Sequence, residues 1–143
     1  MSYDKEFNIL SEYLHSIGQF VTQPRKTILQ CFLQIDGHIS VKKLCGEVRK
    51  VDPQISPATV YRTMRLLVAC GLAAENEFTG DIKMFERIHG KEHHDHMVCT
   101  NCKKVEEFHN DSIEKLQEEV AQDHSFEITH HRMTLFGVCS ECQ

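Results

Sequence analysis

The chain lacks several features that would settle its class at a glance. No apolar run approaches the ~20 residues that a membrane-spanning helix needs. The N-terminal stretch MSYDKEFNIL is acidic and polar rather than a secretory leader, so a cytoplasmic protein is expected. Internal repeats and low-complexity tracts are absent. No H-E-x-x-H is present, nor an H-x-E followed by P-C-x-x-C, which argues against a zinc hydrolase or a nucleobase deaminase. Proline is scarce, and all three residues, Pro24, Pro53 and Pro57, sit where a helix starts or stops. Cysteine is not scarce: seven in a chain without export signals read as metal ligands and core residues rather than disulfides. With 143 residues the chain is either one ordinary domain or two small ones. Two halves of about seventy residues would each be marginal, so metal or dimerisation is the expected supplement.

The net charge of -5 at first disfavours a nucleic-acid partner, but the charge is unevenly spread. Residues 1–88 hold 11 Lys+Arg against 10 Asp+Glu, a net of +1, while residues 89–143 hold 5 against 11, a net of -6. The first half is therefore free to meet DNA through a local basic patch, and bound cations would offset the acidity of the second.

Periodicity divides the chain at the same place. A first helix over 4–16 carries Phe7, Leu10 and Leu14 and stops at Gly18. A second begins at Thr22 or Gln23 with Pro24 in its first turn, carries Ile28, Leu29, Phe32 and Ile35, and stops at Asp36-Gly37. Ser40 caps a third, with Val41, Leu44 and Val48 inward, ending before Pro53. Ser56-Pro57 starts a fourth that runs to Gly71. Residues 72–87 alternate as a hairpin with its turn at Thr79-Gly80-Asp81. Helices followed by such a hairpin describe a winged helix-turn-helix over residues 1–88. Residues 89–143 predict a small α/β unit: strands at 97–99 and 105–108, a helix over 112–123 with Ile113, Leu116 and Val120 inward, and a long strand over 127–138. The fold class is α+β.

Chemistry concentrates in residues 91–102, KEHHDHMVCTNC. On an extended backbone successive side chains alternate faces, so His94 and His96 point one way and His93 and Asp95 the other. Cys99-x2-Cys102 is matched by Cys139-x2-Cys142, and two such knuckles supply the four thiolates of a closed structural zinc site. In the fourth helix Val60, Thr63, Met64 and Leu67 share the inward face. Ala58, Tyr61, Arg62 and Arg65 repeat that spacing on the outward face, a set suited to a major groove. The bland alternative is an ordinary solvated helix face; a metal-storage module would not need it.

These motifs in this order, Gly18-x-x-Val21-Thr22-x-Pro24-Arg25, Ala58-Thr59-Val60-Tyr61-Arg62, HHDH-x2-Cys-x2-Cys and the second Cys pair, resemble the ferric uptake regulator (Fur) family over nearly the whole chain. The resemblance implies a homodimeric, metal-dependent transcriptional repressor, with residues 89–143 as the dimerisation domain and a palindromic, A·T-rich operator as partner; dimer or tetramer is left open. It implies structural Zn(II) on the four cysteines. It implies a regulatory metal, Fe(II) with Mn(II), Co(II) or Zn(II) able to substitute, on His38, Glu86, His94, His96 and Glu107. Glu at 86 and 107, where peroxide-sensing relatives tend to have Asp, favours iron sensing; zinc and manganese sensing stay open. An accessory site would use His93, Asp95, Glu114 and His131. His131 shares a strand face with Met133 and Leu135, whereas Glu114 has a rival role in an Asp111-x-x-Glu114 capping box. Expected DNA contacts are Ala58, Thr59, Tyr61, Arg62 and Arg65, with Arg25 and the wing's Lys83. One departure stands out: Phe20 occupies a position where relatives often carry a basic residue. Cys31, Cys45 and Cys70 are expected in the core, and His15, His89, His109, His124 and His130 receive no role.

Overall fold

The computed structural model describes residues 2–79 and 82–143, so Gly80 and Asp81 of the expected turn lie outside the described residues. The chain forms two compact units, Met1–Glu92 and His93–Gln143.

The first unit runs α1 (Asp4–Ser16), α2 (Gln23–Leu33), β1 (His38–Ser40), α3 (Val41–Val51), α4 (Pro57–Ala69), β2 (Ala73–Thr79) and β3 (Ile82–Arg87). Three helix starts are built alike: the hydroxyls of Thr22, Ser40 and Ser56 each accept a hydrogen bond from the backbone N–H three residues on. Each cap satisfies a donor the helix would otherwise orphan, and removing it costs about 1 kcal/mol. Two helix ends are also alike. Gly18 and Gly71 sit at φ 73° and 82°, and the next amide bonds back to the carbonyl of Leu14 or Leu67. This Schellman closure needs the left-handed backbone that glycine adopts without strain. The apolar stripes of α1 to α4 meet in one core that includes Leu10, Leu14, Ile28, Phe32, Leu44, Val48, Met64 and Leu67. Cys45 is buried in it, and Cys31 and Cys70 pack against it. Burial raises the pKa of all three thiols, the direction expected of structural cysteines.

The hairpin β2–β3 acquires a third strand, giving the antiparallel order β1-β3-β2. Strand β1 is an addition to the sequence expectation, which names no element between the stop at Asp36-Gly37 and the Ser40 cap. Three residues are too few for a periodic signal, and the strand exists only because it pairs with β3, placing His38 opposite Glu86. Phe85 faces the core, completely buried, while Glu86 leaves the opposite face.

The second unit comprises β4 (Asp95–Cys99), β5 (Val105–Phe108), α5 (Asp111–Asp123) and β6 (Thr134–Gly137), with sheet order β5-β4-β6 and β6 parallel to β4. The strand expected over 127–138 shortens to four residues, so His131 precedes β6 rather than lying within it. Helix α5 is capped by Asn110, whose side chain accepts from the amides of Ser112 and Ile113. The capping box expected from Asp111 and Glu114 does not form, since the true cap lies one residue earlier. Nor are Leu116 and Val120 inward within this unit: both are 59% exposed. Among the described residues no helix is long and apolar enough to cross a membrane.

Candidate metal and nucleic-acid sites

The four cysteines converge. Cys99 ends β4, Cys102 follows in the turn closed by the amide of Lys103 on the Cys99 carbonyl, and Cys139 and Cys142 form the matching turn after β6. Their sulfurs all lie within 4.8 Å of one another, and Cys102 Sγ is 3.7 Å from Cys139 Sγ. A tetrahedral zinc with Zn–S of about 2.3 Å spaces its sulfurs about 3.8 Å apart, so the set fits that ion. The amides of Cys139 and Cys102 both donate to Cys99 Sγ. Those backbone donors bring the Cys99 thiol down to about 6, already poised as a thiolate. Cys142 is pushed up to about 12 because it hydrogen-bonds to Cys139 and Cys102 in the same crowd of sulfurs. Four sulfurs so close could all become thiolates only with a cation between them, and with all four positions taken no ligand place would be left for a reacting water.

The alternation around β4 sorts the imidazoles as expected. His94 and His96 stay together, ring centroids 4.9 Å apart, and His94 Nε2 lies 3.5 Å from Glu107 Oε1 on the neighbouring strand. His93 and Asp95 turn the other way and meet His131 and Glu114. His93 Nε2 and His131 Nε2 are 2.9 Å apart, and each is 3.3 Å from Glu114 Oε1. The buried Asp95 contributes both oxygens, Oδ1 3.6 Å from His93 and Oδ2 3.6 Å from His131. Asp95 Oδ1 also accepts from the amide of Met133, which fixes the carboxylate. Glu114 Oε1 is buried without a hydrogen bond. A buried acceptor facing two imidazole nitrogens suits a shared divalent cation of the first transition row.

In the first unit the pairing of β1 with β3 brings His38 Nε2 to 3.1 Å from Glu86 Oε2. Glu86 is only 2% exposed, and its other oxygen accepts from Asn76 Nδ2 on β2 at 3.1 Å. A buried carboxylate must be paired, and this one is held from both sides. Asn76 carries no sequence signature; strand alternation, which places it with Glu86 on one sheet face, is the signal that could have found it.

Helix α4 presents Ala58, Tyr61, Arg62 and Arg65 on its exposed face, while Val60, Thr63, Met64 and Leu67 are buried. Thr59 is less available: its hydroxyl is 3.0 Å from Ser56 Oγ within the cap, and its carbonyl accepts from Thr63. Arg65 and Lys83 both reach Glu75, at 3.5 Å and 3.1 Å, and that hydrogen bond raises the Lys83 ammonium above its ordinary pKa. Arg25 braces the turn before α2, donating to the Phe20 carbonyl and to Gln19 Oε1. Phe20 itself is 69% exposed, with the His15 ring edge-on beside it at 5.5 Å.

Comparison with known proteins agrees with this architecture. The sequence profile of the ferric uptake regulator family matches residues 16–136. A ferric uptake regulation protein of Campylobacter jejuni is 36% identical, the match covering 96% of this chain and 90% of that one. Among solved structures, the Helicobacter pylori ferric uptake regulator, described as having three functional metal binding sites, superposes with a TM-score of 0.84 at 26% identity, over 99% of this chain and 94% of that one. The Pseudomonas aeruginosa regulator, solved with manganese, gives 0.79 at 30% identity over 98% and 99%. This chain belongs to the ferric uptake regulator family.

Proposed function

We propose that the protein is a metal-dependent, DNA-binding repressor that controls iron uptake, acting in the cytoplasm as a homodimer on a palindromic operator. The observation that carries this reading lies within one unit. An exposed helix face of Tyr61, Arg62 and Arg65 stands on the same winged fold as a His38–Glu86 pair whose carboxylate is buried. The first is suited to base edges and phosphates, the second to a divalent cation.

In this reading Cys99, Cys102, Cys139 and Cys142 hold zinc and tie the ends of the second unit together. Regulatory Fe(II), for which Mn(II), Co(II) or Zn(II) can stand in, takes His38 and Glu86 from one unit and His94, His96 and Glu107 from the other. The cation supplies a bond that the bare side chains cannot, and so couples the winged helix to its dimerisation unit. Two α4 helices then meet successive major grooves with Ala58, Tyr61, Arg62 and Arg65. His93, Asp95, Glu114 and His131 form an accessory site, favoured by the unsatisfied Glu114 oxygen. Glutamate at 86 and 107, rather than aspartate, supports iron sensing over peroxide sensing. The assignment of all four cysteines to a closed site supports a regulator over a zinc enzyme.

The test is a gel shift on promoter DNA with Fe(II), Mn(II) and Zn(II) titrated separately. H38A/E86A is expected to keep its tightly held zinc and to lose metal-dependent operator binding. Metal-dependent binding that survives both substitutions would sink the coupling.

A further inference from the structure

We propose that Glu75 is a built-in counter-anion that restrains the attraction of Arg65 and Lys83 to duplex phosphate; this rests on the DNA-binding reading above. In the β2–β3 register Glu75 sits opposite Phe85, and Lys83 opposite Glu77. Glu75 and Lys83 are thus diagonal neighbours on the face that carries Phe85 into the core. Arg65 comes to the same carboxylate from α4, one turn beyond Tyr61. The two ion pairs use different oxygens: Arg65 Nη1 to Oε2 and Lys83 Nζ to Oε1. The exposures separate the partners. The Arg65 and Lys83 side chains are 57% and 41% exposed, whereas that of Glu75 is 16%. Both cations keep an open side towards solvent, while the carboxylate beneath them is largely covered. A phosphate that binds here must share its cations with an anion already in place.

A purely structural tie explains less: this one carboxylate serves both expected phosphate contacts at once, one on the recognition helix and one on the wing. Removing its charge leaves one more net positive charge per winged helix in the patch of Arg62, Arg65 and Lys83.

The experiment uses the full-length, zinc-loaded chain and a fluorescent duplex without an operator, with binding followed by anisotropy across a salt series. E75Q is expected to bind about three- to tenfold more tightly at low salt, from one unit charge removed a few ångströms from the phosphates. The slope of log K against log salt is expected to steepen by about 0.9 for each winged helix bound. Both gains should shrink when E75Q is placed in an R65Q/K83Q background, where the carboxylate has no cations to restrain. E75D, which keeps the charge, is expected to match the wild type. Unchanged or weaker binding by E75Q would overturn the proposal, and so would equal tightening by E75D and E75Q, which would point to loosened packing. A wild-type chain that binds no duplex with any metal would remove the DNA-binding reading itself. Wild-type binding with an unresponsive E75Q removes only the role of Glu75.

Discussion

Asn76 and Glu75 are neighbours on β2 whose side chains leave the strand in opposite directions, one towards Glu86 and one towards α4. Adjacent residues therefore serve different sites, and neither belongs to a recognisable motif. Asn76 holds one oxygen of Glu86 so that the other faces His38. Groups that orient a metal ligand typically contribute 10–100-fold in affinity. Asn76→Leu keeps the volume and removes the amide, and it is expected to weaken the regulatory metal by about that factor. A competition titration with a coloured chelator measures this, with the tightly held zinc as internal control. Equal regulatory-metal affinity in N76L and wild type would show that Asn76 merely fills space. Residue types that donate to metals announce themselves in a sequence; an amide that steers a carboxylate does not, because its role exists only through strand register.

The helices show how far periodicity reaches. On α4 a 3.6-residue repeat separated the buried Val60, Thr63, Met64 and Leu67 from the exposed Tyr61, Arg62 and Arg65, and the structure agrees residue by residue. The caps at Ser40 and Ser56 are legible too, and the one before α2 is narrowed to Thr22 or Gln23, of which the structure uses Thr22, since the hydroxyl, the spacing and the following proline or apolar stripe are all local. Strand β1 was not legible because its hydrogen bonds come from a partner more than forty residues away. Helix α5 is the instructive case. Its repeat of Ile113, Leu116 and Val120 reports a face that is to be covered, but periodicity cannot say by what. Within the unit that face stays open, as a groove of about 960 Å³ that Phe126, Ile128 and Met133 continue. A contiguous apolar surface of this kind marks an interaction site, and a second copy of the chain is the occupant expected for the dimer. Leu116→Asp is therefore expected to shift the protein from dimer to monomer in sedimentation velocity. Its effect within one chain should be small, because the side chain is already 59% exposed. A dimer that persists in L116D would place the interface elsewhere.

The two units are held together by different physics. The first has an ordinary core of aliphatic and aromatic side chains from four helices and a sheet. In the second, the buried apolar residues among those described are Val98, Cys99 and Ala121, while Asp95 and His96 are buried polar groups. Fifty-one residues with so thin a core are marginal on apolar burial alone. Metal and a partner chain are the expected supplements. A structural zinc on four thiolates supplies about 10–16 kcal/mol in small domains, and that binding energy becomes folding energy. Removing it with a strong chelator under reducing conditions should therefore act on one unit and spare the other. Amide exchange is the discriminating measurement. Protection in β4, β5, α5 and β6 is expected to collapse, while α2, α4 and β3 keep theirs, and zinc addition should restore the lost set. Acid should mimic the chelator, because protons compete for the same four thiolates. If protection falls in both units together, their folding is coupled through more than the metal; if it falls in neither, the second unit is sustained by contacts other than zinc.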